Sequence, residues 1–206
     1  MHLTGEEIQE LGRKSARRAS VWLQNTTRVS AIWVNPESAN RLKFTWPGTG
    51  QGFSFDIGGL LRGEPFHNDE FFVEVKGYEK NEGKQVKAYK QYLAQCYIAF
   101  QKEPARCNHF MYITWTPFRM PAPNGRQRSW AWLQSEDCIK SALVDQRDRV
   151  FKEGISETDA KELIDQSLVT EIAERLWVLV LTKKQEELVI TPKHRQMVYG
   201  DWSVDS

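Results

Sequence analysis

The chain has 206 residues, enough for one well-buried core and tight for two, so a single domain over 1–206 is expected. Hydrophobic residues make up 40% and charged residues 27%, with 28 Lys+Arg against 27 Asp+Glu, which excludes a disordered acidic or basic tail protein. The charge is unevenly spread: residues 1–135 carry 18 Lys+Arg and 12 Asp+Glu, residues 136–206 carry 10 and 15, so a balance of +6 precedes one of −5. A chain that is neutral as a whole can therefore still present a basic face to phosphates. No apolar run nears the roughly 18 residues of a membrane helix, and the polar, acidic start shows no signal peptide. Cys96, Cys107 and Cys138 are too widely spaced for a disulfide framework. A cytoplasmic, intracellular protein with no membrane partner is expected.

Thr4-Gly5-Glu6-Glu7 reads as a capping box. The helix it opens has Ile8, Leu11, Ser15, Ala19 and Trp22/Leu23 on one face and stops near Asn25. Short β-like runs follow at Arg28–Val34 and Arg41–Trp46, then the clearest strands, Gly52–Leu61 and Glu70–Tyr78, joined by the polar hairpin Arg62–Asp69. A helix over Gly83–Gln101 turns Val86, Tyr89, Leu93, Cys96/Tyr97 and Phe100 inward. Next come a strand at His109–Thr116 and a Pro/Gly/Arg-rich loop over Pro117–Ser129. Helices are predicted at Glu136–Lys152 and Glu157–Arg175, with a cap at Ser156, and strands at Leu176–Leu181 and Leu188–Ile190. This order predicts a mixed α/β domain: a core over about 4–116 and a C-terminal elaboration of helices and strands over about 117–206.

The two clear strands are each apolar on one side. Phe53, Phe55 and Ile57 share a face, as do Phe71, Val73 and Val75, which leaves Asp56, Glu74 and Lys76 to meet on the opposite faces. Buried carboxylates cost several kcal/mol unless paired or metal-bound. Two of them, with a strand carbonyl, make a hard oxygen site suited to Mg²⁺ or Mn²⁺. A lysine beside such a site can orient water or offset charge that develops on a phosphate.

Asp56, seventeen intervening residues, and then Glu74-Val75-Lys76 resemble the PD-(D/E)XK nuclease superfamily. The resemblance spans about Thr4–Thr116, with Phe55 where a proline often stands. It implies a restriction-endonuclease-like fold, a mixed β-sheet flanked by helices. It also implies Asp56 and Glu74 as metal ligands, the Val75 backbone carbonyl as an extra one, and Lys76 as a participant in phosphodiester hydrolysis. RecB-type members carry Q-x-x-x-Y on the following helix, and Gln85-Val86-Lys87-Ala88-Tyr89 is similar to it. Helical geometry sets Gln85 about 65° from the centre of the apolar face and Lys90 about 75° away on the other flank, with Gln91 and Gln95 toward solvent. Gln85 is therefore taken as the helix's catalytic contribution. A glutamate from the first helix is a further implication, with Glu10 preferred over Glu7 as a fourth acid.

Cationic groups expected to touch nucleic acid are Arg13, Lys14, Arg17 and Arg18 on the first helix, and Lys80, Lys84 and Lys87 after the motif. In the long loop, Arg119, Arg126 and Arg128 lie beside the stacking surfaces of Trp130 and Trp132. Cys107-Asn108-His109 lacks a group to orient the histidine, four scattered histidines give no zinc pattern, and Trp46–Gly52 lacks the Lys-Ser/Thr of a phosphate loop. His67 reads as a hairpin histidine.

These observations lead to a Mg²⁺-dependent nuclease acting on nucleic acid, with a DNA endonuclease as the leading expectation. The alternative is a catalytically inactive nuclease-fold subunit that binds nucleic acid or serves assembly. A homodimer would suit double-strand cutting, and the acidic region 136–206 offers a surface for a protein partner.

Overall fold

The computed structural model describes residues 5–26, 29–37, 39–77, 82–122, 124, 126–182 and 184–185. Thr4 of the capping box, Lys80 and the strand expected at Leu188–Ile190 lie outside the described residues. The chain begins with α1 (Gly5–Thr26), β1 (Val29–Val34) and a single helical turn, α2 (Ala39–Leu42). Strands β2 (Lys43–Thr45), β3 (Gly52–Ser54), β4 (Ile57–Leu61) and β5 (Glu70–Lys76) follow. The long helix α3 (Glu82–Lys102) leads to β6 (His109–Thr114). Beyond it come α4 (Trp130–Leu133), α5 (Glu136–Asp145), α6 (Arg147–Val150), α7 (Glu157–Glu162), α8 (Gln166–Arg175) and β7 (Leu176–Val180).

Five strands form one mixed sheet in the order β1-β4-β5-β6-β7. The β1/β4 and β4/β5 pairs are antiparallel, and β5/β6 and β6/β7 are parallel, as α3 requires by crossing from the end of β5 to the start of β6. The alternation in β5 divides the core. Phe71, Val73 and Val75 join Ala16, Ala19 and Leu23 of α1 on one face, where small alanines bring the helix close. Phe72 joins Tyr89, Tyr92, Leu93 and Cys96 of α3 on the other. Helices α5 and α8 pack behind α3. The protein is thus α/β, a mixed five-strand sheet between helical layers. Among the described residues no helix is long and apolar enough to cross a membrane.

Several expectations are corrected. The single strand over Gly52–Leu61 breaks at Phe55-Asp56, because β3 pairs with β2 in a separate two-strand sheet while β4 enters the large one. The Arg41–Trp46 run is half helix and half strand. The two long C-terminal helices are each split, and the second break falls at Asp165, whose carboxylate accepts from the Ser167 and Leu168 N–H groups and restarts the chain as α8. Gln95 was expected in solvent yet is 4% exposed, since the helices behind α3 cover its outer face as well. The Ser156 cap forms as expected, with its hydroxyl accepting from the Asp159 N–H at 3.1 Å.

Candidate active site at the carboxyl end of the central strand

The register Ile57↔Val73 puts Asp56 across from Glu74, and the Asp56 N–H donates to the Val73 carbonyl at 3.0 Å. β4 begins there, so no strand residue before it remains to accept from the Val75 N–H. The Asp56 carboxylate takes that place at 2.8 Å. Within a strand the N–H and C=O of one residue point to the same side, so the Val75 carbonyl is directed to the Asp56 side too. Lys76, two residues along, donates to the Glu74 carboxylate at 2.5 Å. Asp56, Glu74, Lys76 and the Val75 main chain therefore come together as the sequence spacing implied.

The electrostatics are those of two acids forced into one place. Burial first, and the Glu74 charge second, push the Asp56 carboxyl up from 3.8 to about 7, against the pull of Lys76 and the Val75 N–H. Glu74 faces α3. Burial above all, then Cys96, Tyr89 and Glu74, drives the Tyr92 hydroxyl upward. Sequence reasoning did not single out Tyr92, Tyr112 or Phe118, which wall this side. Tyr92 follows Gln85 by two helical turns of α3, which was the available signal for it; Tyr112 on β6 and Phe118 in the loop after β6 carried none.

Gln85 is fully buried, and neither its amide oxygen nor its amide nitrogen has a hydrogen-bond partner. It lies one turn before Tyr89, whose ring meets Tyr112 at 4.8 Å. Tyr112 is in turn the register partner of Glu74. Since α3 starts just after the carboxyl end of β5, Gln85 belongs to the same end and face of the sheet as the acids. A buried amide with no partner costs about 1–3 kcal/mol, so this side chain is costly to keep for packing alone.

Other expected contributors lie apart. Glu10 sits half-exposed on α1, which packs against the opposite sheet face, and its carboxylate faces Arg13 and Lys14 at 3.8 Å each. Arg17 approaches Glu37 at 3.7 Å and Arg18 stacks over Trp115 at 4.7 Å, so the four cations do not form one open stripe. Lys90 bonds Asp145 and Ser141 of α5 and turns away from the acids. Lys84, Lys87, Arg119 and Arg126 are exposed, while Arg128 lies over the Trp132 ring at 4.2 Å.

At the far end of β5, His67 accepts from the Gly63 N–H within the hairpin. His109 approaches Asp69 at 3.1 Å, and the buried Cys107 thiol is pushed up to about 12 by burial, which leaves no reactive thiolate. Among the described residues no group of three or more His, Cys, Asp or Glu gathers. A cation at Asp56 and Glu74 would therefore draw its remaining ligands from main-chain carbonyl and water oxygens, a set usual for magnesium. Comparison of the chain with family models, with curated proteins and with solved structures gives no match in any of the three.

Proposed function

We propose that this protein is a metal-dependent nuclease of the PD-(D/E)XK type that hydrolyses phosphodiester bonds, with DNA as its substrate. The observation that carries the reading is the convergence of Asp56, Glu74 and Lys76 at the carboxyl end of a central strand. That is the end of an open α/β sheet where ligands ordinarily bind. The mixed sheet between helices, entered through α1 and continued across α3, supports a restriction-endonuclease-like fold.

The donor set suits a hard divalent cation. Asp56 and Glu74 would hold Mg²⁺ or Mn²⁺ together with the Val75 carbonyl; the Asp56 carboxyl is raised by burial first and by the Glu74 charge second, and Lys76 offsets this only in part. Such an ion supplies Lewis acidity toward phosphoryl oxygen and lowers the pKa of a water. Lys76 would position the attacking water and offset negative charge on the phosphate, a role it can take once Glu74 engages a second cation. Gln85 brings a donor and an acceptor to the same end of the site, fit to orient water or a phosphate oxygen.

One observation favours an inactive nucleic-acid-binding or assembly subunit instead. Glu74 is closed on Lys76 and Asp56 is bonded to the Val75 N–H, so each charge already has an internal partner. Cleavage decides between them. Plasmid and single-stranded DNA are incubated with Mg²⁺ or Mn²⁺ and wild type, Asp56→Ala or Lys76→Ala. Each variant is expected to lose activity by about a hundredfold or more. Equal activity in all three proteins sinks the nuclease reading, and the absence of Mn²⁺ binding heat that depends on Glu74 would point to the inactive subunit.

A further inference from the structure

We infer that an unpaired DNA strand docks on Trp130, whose indole serves as the stacking platform, with Arg119 and Arg126 as phosphate contacts. The inference rests on the nuclease reading above and specifies the form of its substrate.

The stretch that carries these residues is tied to the candidate site at both ends. It leaves β6 just after Thr114, the register partner of Lys76. Phe118, almost wholly buried, packs on Tyr89 at 5.3 Å and on Tyr112 at 5.7 Å, the two rings beside Gln85 and Glu74. At the other end the Tyr89 hydroxyl donates to the Leu133 carbonyl at 2.7 Å. Trp130 stands on Phe118 at 6.3 Å and 78°, yet keeps 38% of its surface exposed. An indole held on one side by a buried ring and open to solvent on the other offers a face on which a base can stack.

Charge selects what stacks. Residues 117–135 contain three arginines and no acid. Arg119 and Arg126 are exposed, and the bonds from Ala122 N–H to the Arg126 carbonyl (2.8 Å) and from Arg128 N–H to the Met120 carbonyl (2.9 Å) fold this stretch back on itself. Arg128 is different: stacked over Trp132, it braces the turn. Lys84 and Lys87, near the start of α3, are exposed as well. Cations beside an open indole form a surface for single strands, because a duplex hides the base faces that the indole needs. Stacking is indifferent to the sugar, so an RNA strand of the same sequence should compete within a few-fold.

Fluorescence anisotropy tests this with the full chain in EDTA, which permits binding and no metal-dependent cutting. The probes are labelled oligothymidylate and a labelled duplex of equal length at fixed salt. The single strand is expected to bind about tenfold or more tighter than the duplex, and Trp130→Ala to remove most of that difference while Trp130→Phe retains it. The Arg119→Ala/Arg126→Ala double variant should weaken binding and flatten the salt dependence by about two phosphate contacts.

Equal binding of duplex and single strand overturns the inference, as does a Trp130→Ala protein of unchanged melting temperature that binds oligothymidylate like wild type. RNA bound tenfold tighter than DNA overturns DNA as the occupant. Cleavage is scored apart: a wild type that binds through Trp130 but never cuts overturns the nuclease reading and leaves this surface intact.

Discussion

Asp56 is held across from Glu74 by the strand pairing, and its raised carboxyl sets the sign of a pH effect. The folded protein keeps the Asp56 proton up to about pH 7, whereas an unfolded chain releases it near 3.8. The stability this group contributes is therefore complete below about pH 4 and lost as pH rises through 7. Metal-free wild type should melt lower at pH 8 than at pH 5 by more than Asp56→Asn does, because the asparagine carbonyl still accepts from the Val75 N–H without the charge. The gain from Asp56→Asn at pH 8 is expected to reach about 1 kcal/mol, or about 2–4 °C for a domain of this size. Parallel melting curves from pH 5 to 8 would contradict the assignment. Gln85 gives the complementary test. Gln85→Leu removes an amide with no partner, so stability should hold or rise while cleavage falls by about tenfold or more; a large drop in melting temperature would show the amide bonded for structure.

At the scale of elements, α3 does two jobs. Its inner face carries Gln85, Tyr89, Tyr92 and Cys96 against the sheet, and its outer face is covered by α5 and α8. That covering turns Lys90 away to Asp145 and buries Gln95, neither of which can be read from the helix's own periodicity. The covering layer depends in turn on its caps. Asp165→Ala leaves the Ser167 and Leu168 N–H groups unpaired at the start of α8, and thermal melting should show a loss of about 1 kcal/mol. The full span of α3, by contrast, was legible from apolar spacing, as was the alternation of β5; both faces of each are covered, so periodicity told which residues share a face and not which face meets solvent.

For the whole molecule, the small β2–β3 sheet must be joined to the C-terminal helices, and Gly48 is where they meet. Its N–H donates to the Arg149 carbonyl at 2.8 Å, and a Cβ there would lie 2.1 Å from the Asp148 carbonyl oxygen. Backbone cannot yield as a side chain can. Gly48→Ala should cost about 1–3 kcal/mol or more, read as a fall of several degrees in melting temperature. An unchanged melting temperature would mean that the turn and α6 do not press together.

The amino-acid order alone determined the alternation of β5, the α3 span, the α/β class and the Asp56, Glu74, Lys76 spacing, since each follows from local periodicity. The tertiary structure decided what local pattern cannot express. It broke the strand at Asp56, because two sheets compete for the same run of residues. It separated Glu10 from the acids by placing α1 across the sheet, and it left Gln85 buried without a partner. It also brought Phe118 and Trp130, more than forty residues after Lys76, to the flank of the acids. Proximity across a sheet comes from strand order and helix packing, which join residues that are remote along the chain.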